Sequence, residues 1–435
     1  MAKAMKKDLM DSNPDGLTNK GVNMYTKAQE QYKKWGIDTE AAIKKCAEIS
    51  VSLHCWQGDD IAGFENTGAA LSGGIQATGN YPGKARNKDE LMRDLDLVFS
   101  LIPGKKRLNL HEIYAISDND SPVKRDQPEC RHFDPWLTWA KARNIGIDFN
   151  PTLFSHPMAA SGLTLSSPDK NIRDFWIRHV KACRKIAAYI GEKQGSPSLH
   201  NIWIPDGLKD VPADRLGPRQ RLKESLDEIF SVHYDKNHII DVVESKVFGI
   251  GLESYTVGSS DFYLGYAAKA GINVLLDNGH YHPTELVSDK ISSFLLSFDK
   301  IALHVTRPVR WDSDHVVLFE DEVKEIAKEI IRNDAEDRVL IGLDYFDASI
   351  NRVAAWVIGA RNMQKALLNA LLMPHGDLKK LQDTGNFSKL LVCQEELKTL
   401  PFGAVWDEYL LRQHITGSDW YGTVEKYEND VLKFR

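Results

Sequence analysis

A (β/α)8 barrel is the fold class this sequence predicts, and three observations predict it. A short apolar, β-rich run followed by a longer helical pattern recurs eight times along the chain. The apolar runs do not alternate with polar residues, as expected of parallel strands covered by helices. Polar residues interrupt those runs at one end, the C-terminal one, where barrels of this kind carry their chemistry. With 435 residues the chain has room for one such domain and additions to it.

The elements follow in order. Residues 24–48 read as one amphipathic helix leading into the first strand, Ile49 to Trp56. The segment Gln57 to Asn87 then carries Gly63, Gly68, Gly73, Gly74, Gly79 and Gly83 and no helical period, so it reads as a long loop before the helical pattern Lys88 to Ile102. The second and third strands are Arg107 to Tyr114 and Ile145 to Leu153. Helical spacing over Asn171 to Glu192 precedes the fourth strand, Asn201 to Asp206, and Pro218 to His233 precedes the fifth, Ile239 to Lys246. The sixth strand, Ile272 to Asp277, is followed by a helix over Thr284 to Phe298. The seventh, Lys300 to Thr306, is followed by Asp321 to Asn333, and the eighth, Arg338 to Tyr345, by Asn351 to Leu372. Residues 373–435 show helical stretches without a strand signal. The expected organisation is therefore a helical lead-in at 1–48, the barrel at 49–372 and an α-helical extension at 373–435 that packs on the barrel or on a neighbouring subunit. A glycine-bearing loop at the C-terminal face suits a lid as well as it suits an inert excursion.

Composition excludes several classes. Hydrophobic residues make up 42% and charged residues 27%, as in globular domains, and no stretch approaches the roughly 18 apolar residues that cross a bilayer. Residues 1–16 hold Lys3, Lys6, Lys7, Asp8 and Asp11 without an apolar core, so a secretory signal is not expected and the cytoplasm is. Five scattered cysteines without a C-x-x-C fit reduced thiols rather than disulfides or a thiolate zinc site. A net charge of -6 offers no footprint for nucleic acid. Dinucleotide, P-loop and serine-hydrolase signatures do not occur after any strand.

The strand ends carry the chemistry. The fifth strand ends Glu244-Ser245-Lys246, the sixth ends Asp277-Asn278-Gly279-His280, the seventh holds His304 and the eighth holds Asp344. Just beyond the seventh lies Arg307-Pro308-Val309-Arg310-Trp311-Asp312-Ser313-Asp314-His315. In an extended segment Asp312 and Asp314 share a face, as two oxygen ligands of one cation must, although an Asp-Ser-Asp turn in solvent has the same sequence. Buried carboxylates without cations repel and are driven to protonate, a conflict that a divalent metal removes. Glu244, Asp277, His280, His304, Asp312, Asp314 and Asp344 exceed the six positions of an octahedral ion, which points to two ions. Glu244, Asp277, His304 and Asp344 would ring one, and His280, Asp312 and Asp314 would hold a second, more exposed one. Oxygen and imidazole donors without thiolate favour Mn2+, Mg2+ or Co2+. Lys246, His111, His54, Trp56, Trp203 and Asp206 fall on the same rim, and indole faces beside polar groups suit a polyol. Trp203 as ordinary core is the alternative.

The strings Val243 to Lys246, Asp277 to Glu285, His304 to His315 and Gly342 to Arg352 resemble the bacterial L-rhamnose isomerase family, and the likeness extends over nearly the whole chain. The resemblance implies a xylose-isomerase-like barrel in a cytoplasmic homotetramer that interconverts L-rhamnose and L-rhamnulose in rhamnose catabolism. It implies Mn2+ at a catalytic site on His280, Asp312 and Asp314. A structural site on Glu244, Asp277, His304 and Asp344 would take a second divalent ion, Mg2+, Co2+ or Zn2+ among the candidates. It further implies a metal-assisted hydride shift, with Lys246 binding the substrate oxygens, Asp344 carrying the proton between O1 and O2, and His111 assisting ring opening. Trp203, His54, Trp56 and Asp206 are the expected substrate contacts. The rival readings are another aldose isomerase, a metal-dependent phosphodiesterase or endonuclease on a similar barrel, and a sugar-binding barrel without activity.

Overall fold

Eight strands, each a run whose residues are almost all withdrawn from solvent, lie parallel and in the expected order. They are β1 (Ser50–His54), β2 (Lys105–His111), β3 (Gly146–Asn150), β4 (Ser198–Ile202), β5 (Ile239–Glu244), β6 (Asn273–Asp277), β7 (Ile301–Val305) and β8 (Val339–Leu343). The computed structural model describes residues 15–65, 71, 75–117, 122–249, 251–310 and 312–435, with side chains from Met24 onward. Gly68, Gly73 and Gly74 of the long loop, and Trp311, lie outside the described residues.

The ladders run β3-β2-β1-β8-β7-β6-β5-β4, so β3 and β4 are the two ends of the sheet. They meet through side chains. The Leu199 amide donates to Asp148 Oδ1 at 2.9 Å and the Asn201 amide to Asn150 Oδ1 at 3.0 Å. Gln194 braces the same seam, accepting from the Ile147 amide at 2.7 Å and donating to the Ile147 carbonyl at 3.0 Å. Backbone groups that the ladder leaves open are thereby satisfied, which a closed barrel requires.

The barrel interior is layered. Arg107 and Asp148 pair at 2.8 Å near the N-terminal mouth, with Ser52 donating to Asp148 at 2.8 Å. Leu199, Ile240, Val242, Leu275 and Ala302 form an apolar plug above them. The C-terminal layer is polar throughout: His54, Asn109, His111, Asn150, Asn201, Glu244, Asp277 and His304 are all buried. Inward positions recur every second residue, so this layer comes from the C-terminal inward positions of β1 to β7, with two from β2 and none from β8, where Gly342 stands beside His304.

Helices cover the outer face: α3 (Lys88–Leu101), α4 (Asp134–Lys141), α5 (Lys170–Gln194), α6 (Leu216–Phe230), α7 (Ser260–Ala270), α8 (Val287–Leu295), α9 (Asp321–Arg332) and α10 (Arg352–Leu371). Asn87, Asp169 and Asn351 cap α3, α5 and α10, each accepting a first-turn amide. The lead-in corrects the expectation of one helix. It is two, α1 (Asp15–Lys33) and α2 (Thr39–Glu48), because Gly36 turns left-handed at φ +73° and Asp38 then caps α2 by accepting from Glu40 and Ala41. The fourth strand is also displaced, since Ser198-Leu199-His200 belongs to it and Trp203 to Asp206 lie beyond it. The extension comprises α11 (His375–Asp383), α12 (Phe387–Leu397), α13 (Phe402–Arg412) and α14 (Trp420–Asp430). It returns to the barrel at its end, where Arg435 and Tyr427 both bond Asp94 of α3 at 2.6 Å.

Candidate metal centre

Glu244, Asp277 and His304 are carried on β5, β6 and β7, and Asp344 follows β8 directly. One ligand-capable atom from each of the four lies within 4.8 Å of the others. His304 Nδ1 is 3.2 Å from Glu244 Oε1, 3.0 Å from Asp344 Oδ2 and 3.8 Å from Asp277 Oδ2. Gly342 makes room for that ring, since a Cβ there would stand 3.2 Å from His304 Cδ2 and 3.1 Å from the Leu303 carbonyl. The His280 loop lies beside this ring. His280 Nδ1 is 3.2 Å from Glu244 Oε1 and Nε2 is 3.2 Å from Asp312 Oδ2, while Lys246 Nζ donates to the same Asp312 oxygen at 2.5 Å. Asp314 completes the wall of the cavity.

Asp312 and Asp314 do share the cavity, but not as an extended pair. The Arg307 amide donates to the His315 carbonyl at 3.0 Å, closing a loop in which Arg310 and Asp314 have φ of +71° and +43°. Ser313 Oγ accepts from the Val309 amide at 2.9 Å within it. Arg307 and His315 thus tie the loop's base rather than touch the centre.

The electrostatics of the cluster suit a cation. Burial pushes the Asp277 carboxyl up to about 7, Glu244 and Asp344 adding to it and His280 opposing. Burial likewise drives Asp314 well above the carboxylate range, reinforced by Asp312, Asp344 and Asp277. Desolvation would lower both imidazoles, yet Glu244 and Asp344 hold His304, and Asp277 and Asp312 hold His280, well above the ordinary value. Five carboxylates therefore share one lysine and two imidazoles, and Asp277 Oδ2, Asp312 Oδ1, Asp344 Oδ1 and His304 Nε2 are buried without a hydrogen bond. Buried polar atoms are otherwise almost always partnered. The donor set, oxygen and imidazole without sulfur, fits hard or borderline divalent cations.

The remaining predicted residues divide. His111 and Trp56 line the cavity with ring centroids 4.2 Å apart, and Trp203 faces Lys246, whose Nζ is 5.2 Å from the indole. His54 lies beneath the floor: Nδ1–H donates to the Leu343 carbonyl at 2.7 Å, which leaves Nε2 as the acceptor for Asn109 Nδ2 at 3.2 Å. Burial keeps His54 and His111 below the ordinary imidazole pKa, so both are neutral. Asp206 is a correction. Both of its oxygens are taken by Thr164 and Ser166, through their amides at 2.8 and 2.9 Å and through their hydroxyls, so it anchors the loop after β3 and does not reach the cavity. Asp206→Ala is expected to cost about 2–4 kcal/mol of stability by orphaning four buried donors, with kcat/KM of the folded fraction unchanged. Denaturant melts beside steady-state rates check this.

Asn150, Asn201, Phe154 and Phe346 also line the cavity and were not expected. Starting β4 at Asn201 hid that residue's position as the last inward side chain of its strand. Ile75 shows that the Gln57 to Asn87 loop reaches the cavity. Its far half is tied down, the Tyr81 amide donating to Ala348 at 2.8 Å and the Ala85 amide to Gly58 at 2.9 Å.

Comparison with known proteins places this geometry. The family described as L-rhamnose isomerase (RhaA) matches residues 20–435. An L-rhamnose isomerase of Salmonella paratyphi B is 57% identical over 409 residues, 94% of this chain and 97% of its own length. One from Salmonella agona has the same identity and coverage. Among solved structures, L-ribulose 3-epimerase superposes with a TM-score of 0.47 at 11% identity, covering 74% of this chain and 95% of that one.

Proposed function

This chain belongs to the L-rhamnose isomerase family, and from that premise we propose that it interconverts L-rhamnose and L-rhamnulose at the C-terminal mouth of its barrel. The observation that carries the reading is the ring of Glu244, Asp277, His304 and Asp344, one ligand-capable atom of each within 4.8 Å of the others, with a buried oxygen of Asp277 and one of Asp344 left without a hydrogen bond. In this proposal the ring holds a structural divalent ion, and His280, Asp312 and Asp314 hold a catalytic Mn2+. Ions bound there would polarise the C1 and C2 oxygens of the sugar and stabilise charge on them.

The chain's own groups do the rest. Lys246, kept cationic by Asp312 against its desolvation, donates to a substrate oxygen from between that carboxylate and the Trp203 face. Asp344, with Oδ1 free of any donor, takes the proton between O1 and O2. Neutral His111 assists opening of the pyranose ring, and Trp56 and Trp203 pack the sugar's C–H faces. Hydrogen moves directly between C2 and C1. His54 supports the floor rather than touching substrate.

The proposal extends to a cytoplasmic homotetramer acting in rhamnose catabolism. All five cysteines are free, as suits a reducing compartment, and α12 exposes Phe387, Leu391 and Val392, which supports a subunit contact through the 373–435 extension. No described helix is long and apolar enough to cross a membrane.

The test is direct. Purified protein with Mn2+ converts L-rhamnose to ketose, faster than it converts other aldoses and without cleaving a phosphodiester. Turnover of a rival substrate with no L-rhamnulose overturns the reading. Run in deuterated water, the reaction should leave C1 of the product nearly free of deuterium, and rapid full exchange would exclude the direct hydrogen shift.

A further inference from the structure

Asn201 stands at the seam between β4 and β3, is almost wholly buried, and still forms part of the cavity wall. Its orientation follows from its partner. Glu244 Oε1 faces the ring nitrogens of His304 and His280, each at 3.2 Å, so the carboxylate is the acceptor on that side and on its Oε2 side alike. The Asn201 atom that bonds Glu244 Oε2 is therefore the amide nitrogen, Nδ2. The carbonyl oxygen, Oδ1, then points elsewhere and is buried without a hydrogen-bond partner.

The neighbouring amide is fixed in the same way. Asn150 Oδ1 accepts the Asn201 backbone N–H at 3.0 Å, so Asn150 turns Nδ2 toward His111 Nε2 at 3.4 Å. His111 Nδ1–H then donates to Thr152 Oγ1 at 3.2 Å. Each asparagine Nδ2 has a partner in the protein, while Asn201 Oδ1 has none. An orphaned acceptor in a cavity wall is completed by a donor brought by the ligand, and a sugar offers hydroxyls.

We propose that Asn201 Oδ1 accepts a hydrogen bond from a non-reacting hydroxyl of the bound sugar while Asn201 Nδ2 holds Glu244, which makes Asn201 a substrate-recognition residue of this site. The assignment rests on the sugar-isomerase reading above. Because the C1 and C2 oxygens are the reacting pair, the hydroxyl concerned is one on C3, C4 or C5.

Deoxy analogues test it. The wild type is assayed with L-rhamnose and with its 3-, 4- and 5-deoxy analogues, and the same panel is run on Asn201→Ala and Asn201→Ser, both of which lack Oδ1. One analogue is expected to lose about tenfold or more in kcat/KM on the wild type, in the range of a single unpaired polar group, and no more than about twofold on either variant. Asn201→Asp keeps an oxygen in that place and should retain the penalty, although its charge against Glu244 lowers kcat. A purely structural role for Asn201 lowers kcat in all variants and leaves every deoxy penalty intact, which overturns the assignment. Either Ala or Ser suffices if only one folds. No ketose from the wild type overturns the isomerase reading, and this assignment with it. Wild-type turnover with unchanged penalties in the variants overturns this assignment alone.

Discussion

Asp312→Asn and His280→Ala each lower kcat for L-rhamnose by at least about 10²–10³-fold, the scale set by removing one electrostatic contact to the reacting atoms, while thermal stability changes little. Both residues sit in loops above the barrel floor, and Asp312 Oδ2 is the point where Lys246 and His280 converge. An asparagine oxygen still accepts from Lys246, so the lysine is not left unpaired; what is lost is the charge and one ligand. Rates at saturating Mn2+ beside melting curves separate the two effects. Turnover within fivefold of wild type in either variant removes that residue from the proposed catalytic site.

The second large effect concerns the protein stripped of metal. Asp277 titrates at about 7 in the folded chain against an ordinary 3.8, because it is buried and Glu244 and Asp344 repel it. A carboxyl whose folded pKa is raised contributes stability that is full below its unfolded pKa and lost as pH rises through the folded one. Metal-free protein should thus weaken between pH 4 and 8, by at most about 4 kcal/mol from this group at the usual 1.36 kcal/mol per pKa unit. Asp277→Asn removes that penalty. In EDTA the variant is expected to melt several degrees above wild type at pH 8 and close to it at pH 5, and adding Mn2+ should reverse the order at pH 8, because the wild type, with all four ring ligands, gains more binding energy than the variant. A difference between the two proteins that does not vary with pH argues against an ionised, uncompensated Asp277.

The barrel was legible because eight short β-rich runs recur between helical patterns, and the ligand positions were legible because each interrupts an apolar stretch at the C-terminal end of such a run. What stayed hidden depends on contacts between distant segments. Asp312 and Asp314 stood out as a pair, yet their common orientation comes from a left-handed Asp314 and a loop closed between Arg307 and His315. Asp206 looked like a rim carboxylate because nothing in Pro205-Asp206-Gly207 announces that Thr164 and Ser166, some forty residues earlier, occupy it. Asn150 and Asn201 are unremarkable in sequence, since an asparagine at a strand end is usually a turn residue. Helix α4, of 8 residues, is too short for its period to repeat, and α7 carries Gly265 in its middle, so neither stands out as a helical pattern. The Gly36 to Asp38 break carried a readable signal, a left-handed C-cap glycine followed by an N-cap aspartate, that the longer amphipathic pattern obscured.

The junction of β3 and β4 has a dynamic consequence. Held by two asparagine and aspartate acceptors and a glutamine instead of a continuous ladder, it is the line along which the cylinder would part in a local opening event, and the Leu199 and Asn201 amides would report such breathing first in hydrogen exchange. Opening there would move His111 and Asn150 on one bank away from Asn201 and Glu244 on the other. A sugar lying between His111 and Lys246 would bridge both banks, acting as a rivet across a joint that has no strand ladder.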